Sequence, residues 1–91
     1  MMQIIENWSW LDCKLVNISE TDEWFEVTAI VEKSENAGSF PNLIEVSGQP
    51  VKIRLKPSFD RAILKTRFRI KARRTAPQII WGDVASLQLL P

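Results

Sequence analysis

The chain has 91 residues, 45% hydrophobic and 25% charged, with twelve Lys and Arg against eleven Asp and Glu and a net charge of +1. That suits one small domain over 1–91, and it excludes a disordered chain or a uniformly basic coat protein. With no His and a single Cys, most metal sites, an internal disulfide and the usual catalytic base are excluded too.

Residues 1–6 lack a basic segment followed by a long apolar run, so no secretory signal is expected. No stretch approaches the ~20 apolar residues of a membrane helix. An unpaired Cys suits a reducing compartment, and the expected location is cytoplasmic. Two sequons, at Asn7 and Asn17, carry no weight without a signal.

From Ser9 the period is two, the mark of strands. Leu11, Cys13 and Leu15 form one face of the first strand, and Trp8 and Trp10 fall on the other. A polar connection is expected over 17–23. In the second strand Phe25, Val27, Ala29 and Val31 face inward, with Trp24 on the opposite face beside Glu26 and Thr28. Residues 32–50 read as a long connection that holds a short strand over 43–46. Next come Val51, Ile53 and Leu55 inward, with Lys52, Arg54 and Lys56 outward. Ser58 as N-cap and the apolar residues Phe59, Ala62 and Ile63 predict a short helix or helical turn near 58–65. Phe68, Ile70 and Ala72 then point inward, with Arg67, Arg69, Lys71 and Arg73 outward. Trp81-Gly82-Asp83 reads as a turn or bulge, with Trp81 structural, and Ala85, Leu87 and Leu89 as the last inward set.

This order predicts an all-β fold, a small five- to six-stranded antiparallel barrel, because closure removes exposed edges. In element order it resembles the OB-fold, in which strand three pairs with two and five, and strand four with one and five. An SH3-like barrel or a small sandwich stays open. The resemblance carries no motif, so it assigns no site residue.

The small net charge conceals a division, for residues 1–50 carry −7 and residues 51–91 carry +8. Lys52, Arg54, Lys56, Arg67, Arg69, Lys71 and Arg73 are the candidate contacts to an anionic ligand or a partner. The alternative is a solvated face, neutralised by acids such as Glu26 and Glu32 on the neighbouring strand. Trp8, Trp10 and Trp24 are the candidate aromatic contacts, either to bases or to a protein. Otherwise the long connection or residues 1–7 cover them.

No nucleophile–base pair or phosphate-cradling glycine loop is present, so the expectation is a binding module and not an enzyme, with no cofactor and no metal. Cys13 reads as a small core residue. The near-neutral total favours a protein partner or self-association, acting through the Trp and charged strand faces. The alternative is single-stranded nucleic acid or another polyanion, bound through residues 51–56 and 67–74.

Overall fold

The computed structural model describes residues 6–57, 64 and 66–90. Five strands are present: β1 (Ser9–Glu20), β2 (Phe25–Asn36), β3 (Pro50–Leu55), β4 (Arg67–Ala76) and β5 (Ile79–Leu89). The sheet closes into a ring in the order β1-β2-β3-β5-β4. The pairing is not purely antiparallel as expected. β3 and β5 run parallel, and the other four neighbours are antiparallel. The reason is topological: β5 returns between β3 and β4, in the same direction as β3. The helix predicted near 58–65 falls largely outside the described residues. Among the described residues no helix is long and apolar enough to cross a membrane.

Alternation builds the core as the sequence predicts over four strands. Leu11, Cys13, Val27, Ala29, Ile53, Leu55, Phe68, Ile70 and Ala72 are fully buried, and Leu15, Phe25 and Val51 pack against them. The strands are longer than their apolar pattern. β1 runs on through Glu20, and β2 through Asn36, where connections were expected. Two irregularities explain why the pattern fades. The β1–β2 register skips Glu32 and Val16, and a bulged residue leaves the ladder and exchanges the two faces. Val16 is accordingly 53% exposed, while Ile18 beyond it packs against the core. The remaining turn is tight, with Thr21 Oγ1 bonded to both backbone ends at Trp24.

β5 differs most from expectation. Trp81-Gly82-Asp83 is continuous strand, and the irregularity lies beyond it, where the β4 partner changes from Asp83 to Gln88 within two residues of β4. Ala85 and Leu89 are therefore exposed and Leu87 only partly buried, while Ile80 supplies the buried position. Gly82 faces inward. A Cβ there would lie 2.5 Å from Leu55 Cδ2 and 2.6 Å from Ile70 Cδ1, so glycine lets β5 approach the core.

The predicted strand over 43–46 is absent. Residues 37–49 form a strap with no regular secondary structure, and its Ile44 is fully buried in the core. Asn42 ties the strap down. Its Oδ1 accepts from Ser9 Oγ at 2.6 Å and from the Ile44 amide at 3.0 Å, and its Nδ2 donates to Ser34 Oγ at 2.8 Å. Asn7, 1% exposed, mimics one more rung of the sheet. Its Nδ2 donates to the Arg74 carbonyl at 2.9 Å, and its Oδ1 accepts the Arg74 amide at 2.8 Å.

Cys13 belongs to this core, and burial pushes its thiol from 9.0 up to about 12. The folded chain thus keeps a proton that the unfolded chain loses above pH ~9. The expected result is that stability relative to a Cys13→Ala variant is constant below that pH. Between about 9 and about 12 it then falls, by at most ~1.4 kcal/mol per pH unit. Denaturant midpoints of both chains across that window check it.

Candidate functional site

All four Trp side chains are half-buried on the outside of the ring, neither covered nor freely exposed. Each meets a cation. Arg54 lies over Trp24, 4.5 Å from the ring centroid, and 5.9 Å from that of Trp81. The two indoles meet edge to face at 6.0 Å. Trp24 Nε1 is buried in this cluster without a hydrogen-bond partner. Next to β5 in the ring, β4 lies against β1. Arg69 sits 5.6 Å from Trp10, Lys71 is 5.3 Å from Trp8 and 6.0 Å from Trp10, and Arg73 is 5.3 Å from Trp8. The sheet register produces this interleaving. Trp10 stands opposite Lys71 between β1 and β4, and Trp81 stands opposite Arg73 between β4 and β5 and Arg54 between β5 and β3. Outward positions that looked like separate strand faces in the sequence thus join into one face.

The chain holds Trp8 from both sides. Asn7 is bound to Arg74, and the Trp8 carbonyl accepts the Ala37 amide at 3.1 Å. Arg74 itself is committed to the frame, with Nε donating to the Leu43 carbonyl at 3.0 Å and Nη1 to the Pro77 carbonyl.

The cations divide into two groups. Lys52 pairs with Glu26 at 3.3 Å, Arg67 with Glu32 at 2.9 Å, and Arg69 with Asp12 at 3.2 Å and Glu35 at 3.4 Å. The Asp12–Arg69 contact is an ion pair without hydrogen-bond geometry, since both closest atoms lack a hydrogen-bond partner. Glu26 thus meets β3 as expected, whereas Glu32 reaches β4. These exposed and half-exposed pairs add little stability, but they cancel the local field. Among the described residues Arg54, Lys56, Lys71 and Arg73 form no ion pair. These four accompany the Trp rings.

Three neighbouring grooves run along this face and share tryptophan walls. The largest, about 420 Å³, lies among Trp8, Lys56, Arg73, Trp81 and Asp83. The second, about 380 Å³, has Trp8 on one side and Trp10 and Lys71 with it. The third, about 280 Å³, lies past Trp10 beside the paired Glu35 and Arg69. Trp8 and Trp10 are two residues apart on one side of the chain, a step of ~6.6 Å. Such a track offers flat apolar faces separated by unpaired cations. It can stack planar rings and hold anions beside them.

Of the ten residues singled out from sequence, the structure brings Lys56 and Arg73 together with Trp8, and Lys71 with Trp8 and Trp10, while Arg54 lies with Trp24 and reaches this face through Trp81. Lys52, Arg67 and Arg69 are neutralised at its margin. Sequence reasoning missed Trp81 and Asp83. A period of two does run through Ile80, Trp81, Gly82 and Asp83, but glycine beside tryptophan reads as a turn. Among the described residues no group of three His, Cys, Asp or Glu side chains gathers to hold a metal. No protein family, curated protein or solved structure matches this chain.

Proposed function

We propose that the ring is an OB-like barrel and that it binds single-stranded nucleic acid along the track from Trp81 through Trp8 to Trp10. The observation that carries this reading is the sharing of Trp walls by two successive grooves whose cations form no ion pair among the described residues. Unstacked bases present flat faces to the indoles, and the phosphates between them meet Arg73, Lys71, Lys56 and Arg54. Support for the OB-like assignment comes from the pairing of β3 with β2 and β5, and of β4 with β1 and β5. This is not the face on strands two and three where OB-folds most often bind ligand. That face holds the neutralised Glu26–Lys52 pair.

The near-neutral total had favoured a protein partner. Total charge is the weaker guide, because salt screens charges beyond ~8 Å and a phosphate chain responds to the nearby field. Among the described residues, sorting the cations into paired and unpaired sets leaves Arg54, Lys56, Lys71 and Arg73 without an ion pair beside the Trp rings.

Anisotropy of a labelled oligo(dT) 12-mer tests the proposal. Four phosphate contacts on a single strand give a log–log salt slope of about −3, or a loss of roughly 50-fold between 50 and 200 mM salt. Absence of binding at 50 mM salt overturns it.

A further inference from the structure

Asp83 is out of place on a phosphate-binding surface. It lines the largest groove with Trp8, Trp81, Arg73 and Lys56, and it stands opposite Lys71 in the β4–β5 register. Yet it pairs with none of these cations, and its Oδ1 accepts the Ala85 amide at 3.1 Å. That bond fixes the carboxylate on the strand and, among the described residues, leaves Oδ2 without a hydrogen-bond partner. A negative charge here repels phosphate, so its use has to lie with another part of the ligand.

We infer that this groove is a base-reading subsite that selects guanine through Asp83. The inference rests on the single-strand reading above. Its chemistry follows from what a carboxylate can do. An ionised carboxylate only accepts hydrogen bonds. Guanine presents two adjacent donors, N1–H and the N2 amino group, which match the two oxygens of one carboxylate. In adenine and cytosine the amino group adjoins a ring acceptor, and in thymine and uracil the single N–H lies between two carbonyls. Those acceptors face a carboxylate with like partial charge. The indoles of Trp8 and Trp81 supply the stacking surface, and Arg73 and Lys56 take the flanking phosphates. A volume of about 420 Å³ falls in the range of pockets that hold small ligands.

The test uses the full chain and oligo(dT) 12-mers carrying one central dG, dA, dC or deoxyinosine, read by competition against labelled oligo(dT). The dG probe is expected to bind about tenfold more tightly than oligo(dT), and deoxyinosine, which lacks the N2 amino group, to lose most of that gain. An Asp83→Asn chain keeps an oxygen for the Ala85 amide. It is expected to distinguish dG from dT no longer, because its amide nitrogen sets a donor against one of the two guanine donors. Equal binding of all probes by the parent chain overturns the subsite and leaves single-strand binding standing. No binding of oligo(dT) removes both. The comparison of bases uses the unaltered protein, so it does not depend on the variant folding.

Discussion

Replacing Trp8 and Trp81 together by alanine is expected to weaken oligo(dT) binding by at least ~30-fold, since each base stacked on an aromatic ring contributes ~1–3 kcal/mol. Both indoles line the groove of about 420 Å³, and Arg73 meets each of them, over the Trp8 ring and opposite Trp81 in the β4–β5 register. Removing both deletes the stacking surfaces while leaving the unpaired cations in place. The salt slope should therefore stay near its original value as affinity falls. That combination separates stacking from charge, because loss of a phosphate contact would flatten the slope by about one for each site. Lys52→Ala is the matched control. Its ammonium is already paired with Glu26 away from the groove, and its replacement should change affinity less than threefold. An unchanged affinity in the double Trp variant, with the fold intact by circular dichroism, would place the ligand elsewhere.

Ile44→Ala should cost ~2–5 kcal/mol, against a total stability of ~5–14 kcal/mol for a chain of this length. Ile44 is fully buried although no strand or helix carries it. The network through Asn42, Ser9 and Ser34 holds it there, so the strap cannot collapse freely into the space that truncation leaves. Asn42 takes part in every bond of that knot except the one Ser34 Oγ donates to the Ile44 carbonyl at 2.6 Å, and Ser9 is itself buried. Chemical denaturation checks the expectation through a lowered midpoint at constant slope. A loss under 1 kcal/mol would show that the strap contributes little to the folded state.

The fold was legible wherever alternation was uninterrupted. Val51–Leu55 and Phe68–Ala72 could be oriented residue by residue, because each has a strictly apolar face against a basic one. Legibility failed where a local irregularity changed the phase. Val16 and Glu32 leave the ladder, and the polar ends of β1 and β2 then resemble connections. Gly82 was misread because glycine breaks many strands, whereas here it answers to Leu55 and Ile70 beneath it. That contact joins residues far apart in sequence and has no local signature. The strap is the same case in reverse: Leu43, Ile44 and Val46 have strand composition, but Asn42 bonds Ile44 locally instead of to a neighbouring strand. The candidate site was half visible. Its cations and three of its tryptophans stood out, while their division into paired and unpaired sets depends on which strands meet around the ring.

Among the described residues, the joint between β3 and β5 is the shortest seam of that ring. Its described ladder has two register pairs, Ile53–Ile80 and Arg54–Trp81, against longer ladders at every other joint. A closed sheet must part at some seam before its amides exchange with solvent, and the shortest seam parts at least cost. Arg54, resting on Trp24 and Trp81, spans this seam from outside. An occupant lying on Trp81 would sit across the same joint. If the groove holds a ligand as proposed, filling it is expected to slow the opening of the sheet at this seam, and loosening the seam to weaken the grip on the ligand.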